Sequence, residues 1–219
     1  MEKKRALRIL ETLRDTFKLP EWTNSPCKTP FETLIRTIIS QNTSNRNTAR
    51  AFEELSKKFQ ITPEVFSNAE LSEIEECLKP AGLYRNKSKV IKKLSKIIIE
   101  EFDGTLEQVL TLPTEEARKK LLALPGIGRK TADILLLFCA KRPTIPVDTH
   151  VNRVSRRLGL AAMKGGYEEV RLALQSLYSP KDYLAIHVLL ILLGRNYCKA
   201  RKPICRSCPV NKLCNYINT

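Results

Sequence analysis

Apolar residues recur along this chain at intervals of three and four. Ala6, Leu10, Leu13 and Phe17 fall on one helical face, and Phe31, Leu34, Ile35, Ile38 and Ile39 repeat the pattern. The second stretch carries a start signal: Thr29 as N-cap, Pro30 in the first helical position and Glu32 to complete a capping box. Phe52, Leu55 and Phe59 predict a third helix. Val90, Ile91, Leu94, Ile97 and Ile98 predict another, stopped at Asp103-Gly104. Thr114 starts a short helix that turns Ala117, Leu121 and Leu122 inward, with Glu115 and Glu116 in its first turn. The nearly all-apolar stretch around Ile134, Leu135 and Phe138 reads as a buried helix. Val170, Leu174 and Leu177, then Ile186 through Leu193, predict two more. No convincing alternating run, and so no hairpin signal, interrupts this period. Ile97-Ile98-Ile99 has strand propensity, yet it sits inside a helical repeat. The expected fold class is all-α.

Composition adds two constraints. With 219 residues, 42% hydrophobic and 28% charged, the chain has room for one large or two small globular domains. No apolar stretch approaches the roughly 18 residues of a membrane span. The first residues alternate charge with apolar side chains, unlike a secretion signal. An intracellular protein without a membrane segment is expected. The 38 Lys and Arg against 23 Asp and Glu leave a net charge of +15. Such a surplus suits a polyanion, with nucleic acid ahead of an acidic membrane surface.

The seven cysteines are unevenly placed. Cys27, Cys77 and Cys139 stand isolated, while the others follow the spacing Cys198-x6-Cys205-x2-Cys208-x5-Cys214. A disulfide framework would distribute pairs along the chain, so this pattern suggests a reducing compartment and one local metal site. Four thiolates can close a tetrahedral zinc site or hold a four-iron cluster, and the spacing alone leaves both open. Lys199, Arg201 and Lys202 between the first two cysteines would offset the negative charge of a thiolate-bound cluster.

Between two helical patterns lies Leu124-Pro125-Gly126-Ile127-Gly128-Arg129-Lys130-Thr131-Ala132-Asp133. Two glycines one residue apart permit a tight turn with positive φ and let backbone amides approach an anion. The next helix begins near Arg129, so its N-terminus faces the same anion. Gly126, Gly128 and Arg129 are thus candidates for gripping a phosphate. Lys130 stands beside Arg129 in that first turn. The helix dipole and the arginine both disfavour its charged form, which suits Schiff-base nucleophilicity; on position alone a phosphate-binding lysine is the simpler reading. Further on, Val147-Asp148-Thr149-His150 leads into a helix bearing Arg153, Arg156 and Arg157 as a candidate phosphate-contacting face. Asp148 or Thr149 sits where an N-cap belongs. The sharper role for Asp148 is a carboxylate facing a cationic intermediate. His150 reads as a packed or capping side chain.

Together, Leu124 through Ala132, Val147 through His150, Gly194-Arg195 and the four-cysteine spacing resemble the endonuclease III family, the iron–sulfur branch of the helix–hairpin–helix DNA glycosylases. Ser25-Pro26 to Leu34 and Gly82-Leu83-Tyr84 to Lys87 match too, so the resemblance runs from about residue 5 to the C-terminus. It implies two helical domains flanking a DNA-binding cleft. One is a six-helix barrel over 24–140, with the helix–hairpin–helix at about 115–140; the other joins 1–23 to 141–219 and carries the cluster loop 198–214. It places Lys130 and Asp148 facing each other from different domains, and it turns the choice at Cys198, Cys205, Cys208 and Cys214 toward a [4Fe–4S] cluster.

The implied activity is bifunctional: a base excision repair glycosylase and abasic-site lyase that removes oxidised pyrimidines such as thymine glycol from duplex DNA. Lys130 would attack the sugar and form the Schiff base, and Asp148 would stabilise the cationic sugar. Leu83 would wedge into the vacated stack, and Lys199, Arg201 and Lys202 would follow the phosphate backbone. One segment departs from the family pattern of Ser-x-Gln-x-x-Asp. Here Ser40-Gln41-Asn42-Thr43-Ser44-Asn45 places Asn42 where the gap-filling Gln belongs and Asn45 where the lesion-side Asp belongs, with Gln41 as the other gap-filling candidate. The alternative is therefore a related glycosylase acting on uracil or thymine mispaired with guanine. The implied partner is double-stranded DNA containing a damaged base or abasic site, met by a monomer in the cytoplasm or nucleoid.

Overall fold

A computed structural model describes residues 2–24 and 27–217. The Ser25-Pro26 match falls outside the described residues. Among those residues there is no strand, and the chain divides into two compact units, Met1–Ser25 with Arg142–Thr219, and Pro26–Lys141.

The continuous unit holds α2 (Pro30–Ser40), α3 (Asn45–Lys58), α4 (Pro63–Asn68), α5 (Leu71–Leu78), α6 (Tyr84–Glu101), α7 (Glu107–Thr111), α8 (Thr114–Ala123) and α9 (Arg129–Phe138). Its core gathers the residues that the helical period selected: Leu34, Ile35 and Ile39 from α2, Leu55 from α3, Ile91, Leu94 and Ile98 from α6, and Leu135 from α9 are all fully buried. Each such side chain contributes about 1.5–3 kcal/mol relative to exposure. The Ile97-Ile98-Ile99 run is helical, inside α6. Thr29 caps α2 as expected, its hydroxyl accepting from Glu32 N–H at 3.0 Å. Glu32 does not close the box; its carboxylate turns to Arg36 at 3.4 Å and Lys28 at 3.9 Å. Pro113, not Thr114, takes the N-cap position of α8.

Helices α4, α5 and α7 carry no helical signal in the sequence. They have six, eight and five residues, too short to display a helical repeat. The isolated-cysteine reading also fails for one pair: Cys27, just before α2, is disulfide-bonded to Cys139, just after α9. The two sulfurs come together because α2 packs on α9, with the Thr33 hydroxyl within 3.4 Å of both. These two cysteines no longer support a reducing compartment.

The discontinuous unit holds α1 (Glu2–Thr16), α10 (Thr149–Leu158), α11 (Tyr167–Leu177) and α12 (Tyr183–Asn196). Helix α12 is apolar nearly all round and buries Ile186, Leu189, Leu190 and Leu193 completely. Helix α1 adds Ala6, Ile9, Leu10 and Leu13. Cations at its ends fix α1 against distant segments. Arg5 donates to Leu158 O, Gly159 O and Leu213 O at 2.6–2.9 Å, and Arg14 pairs with Asp182 at 2.7 Å. No single helix among the described residues is long and apolar enough to cross a membrane.

Candidate functional site

The glycine hairpin connects α8 to α9. Leu124 and Ile127 anchor it in the core, while Gly128, Arg129 and Lys130 are exposed. The two glycines differ. Gly126 has φ +77°, and a Cβ there would lie 2.4 Å from Val90 Cγ1 of α6. The positive-φ expectation fails at Gly128, which is extended at φ −91° and caps α9. A Cβ on Gly128 would meet nothing within 4 Å. Glycine is therefore required at 126 by conformation and packing. At 128 it leaves the backbone bare before a helix whose first turn receives no side-chain cap. Lys130 sits in that first turn. Below the hairpin, the buried pair Arg118–Asp133 joins α8 to α9 through Nε–Oδ1 at 2.9 Å and Nη2–Oδ2 at 3.3 Å.

The other candidate residues of this unit lie on two loops, one of them tied to the hairpin. Gln41 ends α2 and donates from Nε2 to Gly126 O at 3.2 Å. Asn42 follows at φ 55°, and exposed Asn45 opens α3, with Ser44 as its cap. Leu83 precedes α6 at φ 49° and is 57% exposed. A large apolar residue held left-handed and presented to solvent is costly in isolation, and such strain persists at functional positions. Among the described residues, five non-glycine residues have positive φ, and three of them, Asn42, Leu83 and Lys202, are candidates for DNA contact.

In the discontinuous unit, Asp148 caps α10, its Oδ1 accepting from Val151 N–H at 2.7 Å. The carboxylate is half-buried. His150 packs against Gly194 of α12, where a Cβ would lie 2.9 Å from its Nδ1. Gly194 thus permits a close approach of α12 to α10. Burial pushes the His150 pKa down; Asp148 opposes this shift, and Arg153 and Arg195 reinforce it.

The phosphate-contacting face expected at Arg153, Arg156 and Arg157 is corrected by the geometry. Arg153 donates to Cys198 O and Gly194 O, and Arg156 to Ala162 O and Gly165 O. Arg157 donates to Lys199 O at 2.8 Å and Ala200 O at 3.1 Å, and it stacks on Tyr216. These guanidiniums satisfy backbone carbonyls. Arg153 and Arg157 hold the start of the cysteine loop, whose Lys199, Arg201 and Lys202 remain exposed.

Cys198, Cys205, Cys208 and Cys214 line one small apolar cavity with Leu158, Leu193 and Tyr197, and none is disulfide-bonded. Arg157 Nη1 lies 3.5 Å from Cys198 Sγ. Burial pushes the Cys208 and Cys214 thiols up, and negative charge on the neighbouring cysteines raises them further. Among the described residues, no three His, Cys, Asp or Glu side chains are grouped to hold a single metal ion. The donor set, four sulfurs on one dry cavity beside a guanidinium, fits a thiolate-bound cluster.

Residues 35–180 match the family described as HhH-GPD superfamily base excision DNA repair protein. The chain is 38% identical over 185 residues to an Endonuclease III of Bacillus subtilis, covering 84% of this chain and 80% of that protein. It is 35% identical over 187 residues to an Endonuclease III of Sulfolobus acidocaldarius, covering 85% and 82%. A trapped endonuclease III–DNA covalent intermediate superposes with a TM-score of 0.83 at 31% identity, over 99% of this chain and 97% of that one. The chain belongs to the HhH-GPD superfamily of base excision DNA repair proteins and, within it, to the endonuclease III family of DNA glycosylases.

Proposed function

We propose that the chain is a bifunctional DNA glycosylase and abasic-site lyase that removes oxidised pyrimidines from duplex DNA. The observation that carries this reading is Lys130, an exposed amine in the first turn of α9, next to an unobstructed glycine that caps the same helix. A solved relative forms a trapped covalent intermediate with DNA, and a lysine amine is the group here suited to such a bond.

The damaged nucleotide leaves the stack at a cost of a few kcal/mol. Leu83 fills the vacated position, and Gln41 or Asn42 faces the estranged base. Backbone amides at Gly126 and Gly128, with Arg129, hold a phosphate at the hairpin. The Lys130 amine attacks C1′, the base departs with the glycosidic electron pair, and the nitrogen releases a proton. The half-buried Asp148 carboxylate stabilises the positive charge that develops on the sugar. The C1′–O4′ bond then breaks with its electron pair on O4′, which takes a proton from solvent, and the nitrogen lone pair closes a protonated Schiff base at C1′. Loss of a C2′ proton then expels the 3′ phosphate and nicks the strand.

Cys198, Cys205, Cys208 and Cys214 would hold a [4Fe–4S] cluster. Its support is the shared dry cavity lined by the four sulfurs, with the Arg157 guanidinium 3.5 Å from Cys198 Sγ. When bound, it contributes order to the loop bearing Lys199, Arg201 and Lys202 along the DNA backbone, not a bond-making step.

Borohydride trapping on a thymine glycol duplex, with undamaged duplex as control, tests the reading. A covalent adduct only on damaged DNA, lost in Lys130→Gln, is the expected result. Base release without an adduct removes Lys130 from its role. Turnover confined to uracil or thymine opposite guanine replaces the substrate class.

A further inference from the structure

Lys87 of α6 is a lysine in an unusual setting. It is 4% exposed, and its ammonium donates to two backbone carbonyls, Ile39 O at 2.8 Å and Ala81 O at 3.0 Å. Burial pushes its pKa down. Both carbonyls lie at ends of helical turns, where acceptors lose their intrahelical partners. Ile39 is in the last turn of α2, directly before Ser40, Gln41 and Asn42. Ala81 closes the short turn Lys79–Ala81, directly before Gly82 and Leu83. One buried cation therefore joins the roots of two loops. Each loop carries a non-glycine residue held left-handed, Asn42 in one and Leu83 in the other.

The same helix also reaches the hairpin, since Val90 fills the space beside Gly126, and Gln41 closes the circuit through Gly126 O. A solvated lysine would do none of this. Holding an ammonium on two carbonyls inside the protein costs desolvation, which charge-assisted hydrogen bonds offset only with good geometry. A methionine would fill the same volume without that cost, so the cation serves what its two acceptors do.

We propose that Lys87 is a positioning residue for nucleotide extrusion. It locks the Leu83 loop and the Gln41-Asn42 loop in one register, so that wedge and gap-filler enter the duplex as a single rigid piece. This rests on the reading above that these loops meet DNA. Lys87 touches no reacting atom. Its loss should slow extrusion and spare the amine chemistry of Lys130.

Two measurements on the intact protein test this. The first compares single-turnover base release from thymine glycol in a fully paired duplex with release from the same lesion flanked by mismatches, where extrusion is cheap. Lys87→Met is expected to slow release about tenfold on the paired duplex and to recover most of that loss on the mismatched one. A 2-aminopurine opposite the lesion should report less unstacking. Equal slowing on both substrates, or none, overturns the proposal. Leu83→Ala is the control on the underlying reading: if it changes neither release nor fluorescence, the loops do not act on DNA and that reading fails, whatever Lys87 does.

The second measurement needs no substrate. Hydrogen exchange of the free wild-type protein should show 39–43 and 81–84 protected together, and both should lose protection in Lys87→Met while α9 keeps its own. Independent opening of the two segments in the wild type overturns the brace even if the variant does not fold.

Discussion

Arg118 and Asp133 clasp each other in the interior, two parallel bonds spanning the helices on either side of the glycine hairpin. Asp133 is completely buried and lies one turn beyond Lys130 on α9. The clasp sets the spacing of α8 and α9, and with it the direction in which the first turn of α9 points. Removing the cation withdraws a bidentate partner from a buried carboxylate, a change that typically costs about 3–5 kcal/mol. Arg118→Met should therefore lower stability by about that amount in urea titration and weaken duplex binding. A variant that melts like the wild type would show that the hairpin is held by its apolar anchors alone.

The two hairpin glycines should separate cleanly under substitution. Gly126→Ala meets both a positive φ and Val90 Cγ1, so it should lose about 1–3 kcal/mol of stability. Gly128→Ala meets neither obstacle and should leave the melting curve nearly unchanged. Its methyl group would instead stand before the bare amides of the turn. Fluorescence anisotropy on duplex DNA should then show weaker binding for a fully folded Gly128→Ala. Unchanged affinity would remove the hairpin backbone from the phosphate.

The Cys27–Cys139 bond closes a loop with a sequence separation of 112 residues, so it restricts the unfolded chain over nearly the whole continuous unit. A disulfide typically contributes about 2–4 kcal/mol, and the contribution rises with the length of the loop it closes. Reductant should lower the melting temperature of the wild type and leave a Cys27→Ser, Cys139→Ser double variant unmoved. Thiol counting by mass should find these two cysteines unreactive until reduction.

His150 gives the discontinuous unit a dependence on pH. Burial holds its folded-state pKa below the ordinary 6.5, so the unfolded chain takes up a proton first as pH falls. The associated stability is present in full above about pH 6.5 and is lost as pH drops toward the lower folded value. Denaturant melts between pH 7.5 and 5 should show this decline, and His150→Gln should flatten it. A histidine proton titrating at or above 6.5 by NMR would contradict the packing against Gly194 and Arg153.

Where burial follows a helical period, the sequence was readable. Ile91, Leu94 and Ile98 of α6 and Ile186, Leu189 and Leu193 of α12 are buried because they recur on one face, and Thr29 caps because its hydroxyl precedes Pro30. Lys130, Leu83 and Asn42 were nominated from motifs, and each is exposed. The inward turn of some polar side chains is not legible in the sequence. Lys87, Arg118, Arg153 and Arg157 resemble surface charges in one dimension, because their acceptors are carbonyls or carboxylates brought near only by folding. The Cys27–Cys139 pair was hidden for the same reason, since proximity across α2 and α9 leaves no mark on spacing.

The three carbonyls held by Arg5 have a consequence for biosynthesis. Helix α1 is made before these acceptors, since Leu158, Gly159 and Leu213 emerge from the ribosome 153, 154 and 208 residues after Arg5. The continuous unit, complete by Lys141, can form while translation proceeds. Helix α1 meanwhile waits without its apolar partners Ile186, Leu189 and Leu190. Its exposed basic residues oppose self-association of that waiting segment, and its closure is a long-range event timed by the synthesis of α12 and Leu213.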